Sequence, residues 1–278
     1  MTRHQVLGDG EPVTGTQSVE RALTLLSLVG RGGDDGVTLA AIVGASGLEK
    51  PTARRLLMAL IRARLIEQDG ASRRYRLGQE VYVLGTLAAR RHGLLEQAAE
   101  SLRRLSGLTG DTSFVSARHG DFVLCLHREE GSHPVRTHAL QTGDQNPLGV
   151  GAGSLALLAA LPEAEREAAI LRLAGAYAAY PGYSVEIVRA DVARTLEAGY
   201  ALNPGRVVAS SWGVGVPLRF PDGRVAGALS MAAIDSRMQP ARQQELSALL
   251  HAEARAVEAR LERLFGPTGL PSIGGQHG

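Results

Sequence analysis

Two groups of residues in this 278-residue chain carry side chains and spacings able to do chemistry. The first lies at 46–77, SGLEKPTARRLLMALIRARLIEQDGASRRYRL. Over 51–63 the apolar residues Ala53, Leu56, Leu57, Leu60 and Ile61 follow the i, i+3, i+4, i+7, i+8 spacing of one helical stripe. Thr52, Arg55, Met58, Ala59 and Arg62 face away from that stripe, with Lys50 and Arg54 at its edges. Leu65-Ile66-Glu67, a turn at Asp69-Gly70-Ala71-Ser72, and Arg73-Arg74-Tyr75-Arg76-Leu77 then read as a basic hairpin. A helix that buries one face and shows arginines on the other fits a duplex major groove, and a basic ribbon beside it lies on phosphates. Lys50, Thr52, Arg54, Arg55, Arg73 and Arg74 are therefore the candidate contacts to double-stranded DNA. Thr52 and Arg55 are the groove-facing pair, and Arg73 and Arg74 fit the backbone or minor groove. Which arginines read bases and which hold phosphates stays open.

The second group is Gly149-Val150-Gly151-Ala152-Gly153-Ser154, ahead of an apolar helix. Free N–H groups at a helix start attract anions, and glycines permit close approach. A dinucleotide fingerprint fits poorly, because the third glycine is misplaced and no clear strand precedes the loop. Tight helix packing is the other alternative. Asn203, Ser211, Trp212 and Ser230 lie on or beside the last two expected strands. Strand alternation puts Ser230 on the side of Ala228 and Ala232, where small residues leave room for a ligand and a hydroxyl can orient it. Trp212 could wall an aromatic ligand or serve a core or interface. Ser230 could equally be a satisfied core hydroxyl.

Other reactive residue types offer less. His127, His133 and His138 match no compact metal-ligand spacing. Cys125 sits in an apolar run and reads as a buried, inert thiol. There is no Gly-x-Ser-x-Gly elbow and no Ser/His/Asp set, so no enzyme and no cofactor are expected.

Charge singles out the first group again. The chain carries a formal +2, yet residues 17–78 hold nine Arg and the only lysine against six acids. The basic excess is thus confined to one short segment, as for a DNA-binding module. A single cysteine leaves no internal disulfide, in keeping with a reducing cytoplasm. The polar, Gly-rich start is unlike a signal peptide, and no apolar run approaches a membrane span.

The elements that position these residues divide as follows. Residues 1–16 read as a disordered tail, 17–78 as a winged helix-turn-helix and 79–92 as a linker helix. Residues 93–265 form an α+β domain with an antiparallel sheet flanked by helices, and 266–278 a flexible tail. Within the first domain Ser18 can cap a helix, Thr38 caps a short second one and Pro51 opens the third. In the second, Leu95, Ala98, Leu102 and Leu105 set the phase of a helix over 94–108. Strands are expected at 112–117, 122–127, 135–140, 207–220 and 224–234, the last two joined by Pro221-Asp222-Gly223.

Read in order, these segments resemble the isocitrate-lyase-regulator (IclR) family of bacterial transcription factors over roughly 17–265. The resemblance rests on Ser18-Val-Glu-Arg-Ala-Leu23, Gly47-Leu48, Lys50, Thr52-Ala53, Arg55-Leu56-Leu57 and Tyr75-Arg-Leu-Gly78. It continues through Pro147-Leu-Gly-Val-Gly-Ala-Gly-Ser154, Gly199-Tyr200, Asp222-Gly223 and Ala228-Leu-Ser230. It implies a GAF-like effector domain, dimers or tetramers, and control of catabolic genes by small, often aromatic, carboxylic acids. It also implies that backbone amides at Gly151 and Ala152 hold the acid, to which the strand reading adds Asn203, Ser211 and Ser230 as candidate effector contacts. The chain departs from the family at Glu49-Lys50-Pro51, where Pro-Lys-Ser is usual. It departs again at Asn203, where carboxylate-binding members often carry an acid, and at Gly213 and Ala232, where some carry a cysteine and a second serine. The expectation is a cytoplasmic, ligand-responsive regulator with partners in operator DNA, a small carboxylic acid and its own copies, and none in a membrane. The alternatives are an enzyme fused to a DNA-binding domain and a constitutive DNA binder whose core is filled where a pocket would lie.

Overall fold

The computed structural model describes residues 16–135 and 140–265. The expected tails at 1–15 and 266–278 and most of the expected strand at 135–140 lie outside those residues. The chain forms two compact units, Met1–Gly93 and Leu94–Gly278.

In the first unit, helices α1 (Gln17–Gly30), α2 (Leu39–Ser46) and α3 (Lys50–Arg62) precede strands β1 (Ile66–Gln68) and β2 (Tyr75–Leu77) and helix α4 (Gln79–His92). The apolar stripe of α3 does what its spacing requires: Ala53, Leu56, Leu57 and Leu60 are buried with Leu25, Val29, Ile42, Ile66 and Tyr75. Thr38 caps α2 by accepting the Ala41 N–H at 3.2 Å, and Gly47 ends it in the left-handed conformation (φ 66°) that glycine adopts without strain. Ser18 is not a cap. The helix starts one residue earlier, at Gln17, and the Thr16 hydroxyl donates to Glu20 Oε1 at 3.2 Å.

In the second unit, α5 (Leu94–Thr109) leads into β3 (Thr112–His119), β4 (Phe122–Glu129) and β5 (Gln145–Pro147). Then come α6 (Ala152–Ala159), α7 (Glu163–Arg172), α8 (Ala174–Tyr177) and α9 (Val185–Ala198). Strands β6 (Ala201–Pro204), β7 (Ser211–Arg219) and β8 (Val225–Ile234) and helix α10 (Pro240–Phe265) complete it. The six strands form one antiparallel sheet in the order β5-β4-β3-β8-β7-β6. Alternation divides its residues between two faces. Val115, Val214, Val216, Leu218, Leu229 and Met231 pack with Ala98, Leu102, Leu246 and Leu250 from α5 and α10. The opposite face receives α6, and the core there joins Leu155–Leu158 to Ile170, Tyr177, Val188 and Val192.

Three expectations change. The strand expected over 207–220 is shorter, β7 at Ser211–Arg219, and an unexpected strand, β6 at Ala201–Pro204, precedes it, the two separated by left-handed Gly205 (φ 72°) and Ser210 (φ 61°). Leu94, rather than Leu95, faces the core at the start of α5. One edge strand, β5 at Gln145–Pro147, is not expected from the sequence, because the segment is too short and polar to show alternation.

One buried charge fixes the start of the sheet. Asp111, between α5 and β3, is almost fully buried and accepts Arg237 Nε at 2.9 Å and Arg242 Nη2 at 3.1 Å. Both guanidinium groups also donate to the Thr109 carbonyl, at 3.0 and 3.2 Å, where α5 ends and its dipole favours cations. Asp111→Asn keeps the shape but removes the carboxylate facing Arg237 and leaves Arg242 with Glu245, 2.7 Å away, as its remaining acidic partner. Its expected cost is about 1–3 kcal/mol. A urea titration reads this as a lower midpoint with unchanged slope, and an unshifted midpoint would show the clamp contributes nothing.

Candidate functional site

On α3, Lys50, Arg54, Arg55 and Arg62 are exposed and Thr52 is half-buried, opposite the stripe that fills the core. The wing has shorter strands and a longer turn than the sequence indicates: three-residue strands and a six-residue connection at 69–74. Asp69 organises that connection. Its carboxylate accepts the Ser72 hydroxyl and the Ser72 N–H, at 2.5 and 2.6 Å, and these bonds hold its pKa below the usual carboxylate range. Arg73 is exposed in the left-handed conformation (φ 59°), its carbonyl accepting Gln68 Nε2 at 2.9 Å. Arg74 differs from its neighbour. It is half-buried, and Nη1 donates to the Gly36 carbonyl at 2.9 Å, anchoring the wing to the α1–α2 connection.

In the second unit, Gly151, Ala152, Asn203, Ser211 and Ser230 all line one cavity of about 60 Å³ between the N-terminus of α6 and the sheet. Sheet register explains the convergence. Asn203 pairs with Gly213, Gly213 with Ala232, Gly215 with Ser230, and Ser230 with Phe114, so these residues share one face. Gly213 and Gly215 let the helix start approach. A Cβ on Gly215 would lie 2.7 Å from the Ala152 carbonyl oxygen, and one on Gly213 would lie 3.2 Å from the Ala152 Cβ. Glycine at both positions allows the first turn of α6 to rest on β7.

Polar groups edge the cavity without charge. Among the described residues, no Lys, Arg, His, Asp or Glu lines it. Ser116, Ser211 and Ser230 are buried residues that line it, and no hydrogen bond to their hydroxyls is found among the described residues. Hydroxyls at a cavity wall can donate to or accept from a ligand or water. Asn146 also lines it. Apolar walls come from Phe114, Val123, Leu140, Val207 and Trp212. The sequence offered no sign of Ser116 or Asn146, because only strand pairing brings β3 and β5 to this face.

The amides of the loop are not equivalent. The Gly151 N–H donates to the Tyr183 hydroxyl at 3.1 Å, and that hydroxyl donates to Asn203 Oδ1 at 3.3 Å. Burial raises the Tyr183 pKa, so the phenol stays neutral. The Ala152 and Gly153 N–H groups belong to the first turn of α6 and have no partner within the helix. Ser154 is structural: its hydroxyl accepts the Gly149 N–H and donates to the Pro147 carbonyl, both at 2.9 Å. The antiparallel sheet removes the dinucleotide reading, which needs a parallel βαβ crossing.

The histidines form no centre. His127 meets Glu129 at 3.2 Å, His133 Nδ1 lies 2.8 Å from the Val135 carbonyl, and His138 is outside the described residues. No group of three possible metal ligands occurs among the described residues. Cys125 is buried, and that burial, with the Asp144 charge, pushes its pKa up to about 12. It is a protonated core thiol. No helix among the described residues is long and apolar enough to cross a membrane.

Comparison with known proteins accounts for both units. Residues 18–70 match the IclR helix-turn-helix domain, and residues 86–259 match the bacterial transcriptional regulator IclR C-terminal domain. The HTH-type transcriptional regulator BhcR of Paracoccus denitrificans is 28% identical over 257 residues, covering 91% of this chain and 88% of BhcR. The crystal structure of an IclR transcriptional regulator from Silicibacter sp. TM1040 superposes with a TM-score of 0.75 at 28% identity, covering 88% of this chain and 96% of that one. An IclR homolog from Microbacterium hydrocarbonoxydans, complexed with 4-hydroxybenzoate, shares the fold at 23% identity and a TM-score of 0.72, over 88% and 99% of the two chains. With a helix-turn-helix unit, a C-terminal effector unit and family matches to both, this chain belongs to the IclR family of transcriptional regulators, which are not enzymes.

Proposed function

We propose that the protein controls catabolic genes by binding paired operator half-sites as a dimer or tetramer and releasing or tightening that grip when a small monocarboxylic acid enters the cavity beneath α6. The domain limits are those set out from the sequence: 17–78 for DNA, 79–92 as linker and 93–265 for the effector. The observation that carries the effector reading is the uncharged cavity lined by three serines beside helix-start amides. The backbone amides at Gly151 and Ala152 are assigned to one carboxylate. With no cation in the lining, a second carboxylate would be buried uncompensated. The hydroxyls of Ser116, Ser211 and Ser230 suit a hydroxyl or carbonyl oxygen elsewhere on the ligand. A water needs about 10–15 Å³ on this scale, so about 60 Å³ takes several heavy atoms, a short hydroxy- or oxo-acid rather than a ring. An open cavity walled by Gly151, Ala152 and Ser230 also speaks against a constitutive binder with a filled core.

For DNA, the exposed face of α3 carries the reading. Arg55 is assigned a base edge, with Lys50, Thr52 and Arg54 beside it, and Arg73 a phosphate. Arg74, held by Gly36, is assigned to wing structure as much as to DNA. Arg55→Ala is expected to weaken a selected operator by about 1–3 kcal/mol while hardly changing a scrambled duplex. Arg73→Ala is expected to weaken both alike and to lower the salt slope by about one. Titrations at two salt concentrations separate them. An Arg55→Ala protein with full operator affinity would remove the groove assignment.

A further inference from the structure

The cavity contains an internal competitor for the acid. Gly151 and Ala152 are adjacent, and an oxyanion lying on both of their amides would need both N–H groups open. Only one is. The hydroxyl of Tyr183, on the segment just before α9, takes the Gly151 N–H at 3.1 Å. Gly151 adopts the left-handed conformation (φ 88°), and a Cβ there would lie 3.8 Å from Asn146 Nδ2 and 3.7 Å from Val207 Cγ2, two groups of the cavity wall.

Tyr183 is placed by a network rather than by chance. Its ring meets Tyr180 edge-on at 6.2 Å, and the Arg206 guanidinium lies 6.0 Å from the ring centre. Arg206 also pairs with the buried Asp191 of α9, and its backbone N–H donates to Asn203 Oδ1 at 3.3 Å. Asn203 Oδ1 thus accepts from both Tyr183 and Arg206. The result is a chain of contacts from the first amide of the loop to the second turn of α9.

The hydroxyl bonds themselves are weak. The hydroxyl's own bond to Asn203, at 3.3 Å, is longer than the usual O–H···O range, the Gly151 N–H bond at 3.1 Å is at the long end of the N–H···O range, and a neutral oxygen is a poorer acceptor than a carboxylate. Without a ligand, Tyr183 gives the N–H of half-buried Gly151 a partner. A carboxylate that reaches the same amide gains a charge-assisted bond but must first displace the phenol.

Resting on the effector reading above, we propose that Tyr183 is a built-in plug for the anion site: its hydroxyl occupies the Gly151 amide in the free protein, and the effector carboxylate displaces it. This makes Tyr183 a determinant of effector affinity. It also gives the acid a direct mechanical consequence, because the displaced residue leads into α9 through the Asp191–Arg206 pair.

The test uses the full chain and Tyr183→Phe, which keeps both ring contacts and removes only the hydroxyl. The probes are glycolate, lactate and pyruvate, with their amides, followed by calorimetry. The variant is expected to bind the acids about three- to tenfold more tightly than the wild type, the gain from not breaking one neutral hydrogen bond. The amides should bind neither protein appreciably. In the wild type, acid should shift the Gly151 amide and the Tyr183 ring resonances together, a readout that does not depend on the variant folding. Equal or weaker acid binding by Tyr183→Phe would overturn the plug and leave the effector site standing. So would an acid that shifts Ala152 but neither Gly151 nor Tyr183. If none of the acids binds either protein at millimolar concentration, the effector reading falls and takes the plug with it.

Discussion

Ala152→Leu is expected to abolish acid binding, a loss of at least about 100-fold or 2.7 kcal/mol, while operator binding persists and no longer responds to acid. The geometry leaves the larger side chain nowhere else to go. The Ala152 Cβ points along the helix start toward β7, 3.2 Å from where a Gly213 Cβ would stand, and the Ala152 carbonyl rests against Gly215. The additional carbons must enter the cavity of about 60 Å³ that Ala152 already lines. The fold should tolerate this. Each added buried methylene contributes about 0.8 kcal/mol, against the 1–3 kcal/mol typical of overpacking. A melting temperature within a few degrees of wild type, no heat with glycolate, lactate or pyruvate, and an unchanged operator titration make the expected set. A variant that still binds the acids at wild-type affinity would move the effector to another site.

That outcome matters because of how a ligand can act on DNA affinity. An effector shifts the equilibrium between two arrangements only by the difference in its affinity for them. A fivefold to 150-fold change in operator affinity asks for about 1–3 kcal/mol of such difference. One carboxylate exchanging a neutral hydrogen bond for a charge-assisted one is of that order. No further binding site is required on energetic grounds.

What the sequence made legible, and what it hid, follows from the range of the interactions. Thr38, Gly47, the stripe of α3 and the 79–92 helix are local features, and each sits where period and capping place it. Ser230 could be assigned a face from alternation alone, because Leu229 and Met231 on either side are core residues for the opposite layer. Ser116 could not. It carries the same alternation, but only its pairing with Ala228 across β3 and β8 tells which face holds the cavity. The break between β6 and β7 depends on left-handed Ser210, a residue with no strong tendency to end a strand. The bond from Gly151 to Tyr183 spans 32 residues of sequence. Its consequence is that an amide expected to be open is already engaged.

Leu84→Glu is expected to leave a folded monomer whose operator affinity falls by roughly 100- to 10,000-fold, the contribution of a second linked half-site. The expectation starts from exposure. Along α4, Tyr82 is 76% exposed, Leu84 50% and Leu87 61%, and Val83 and Ala88 are also at the surface, whereas Val81 is half-buried. The apolar surface is therefore broader than the Val81, Leu84 and Ala88 stripe read from spacing. A lone chain leaves these side chains in water; burying them against a second copy contributes about 25 cal/mol per Å² of apolar surface covered. It also fixes the separation of two recognition helices, which paired half-sites about one helical turn apart demand. A glutamate at position 84 would place a charge in that seam, and desolvating it without a cation opposite opposes association. Because Leu84 is half exposed in the single chain, the substitution should cost the monomer little. Light scattering of wild type and variant, followed by titration of a single half-site and a paired operator, tests each part. Single-half-site affinity should be unchanged, since α3 is untouched, while the paired operator loses its advantage. A wild-type protein that remains monomeric at micromolar concentration, free and on DNA, would rule out association through α4 and with it the half-site scheme.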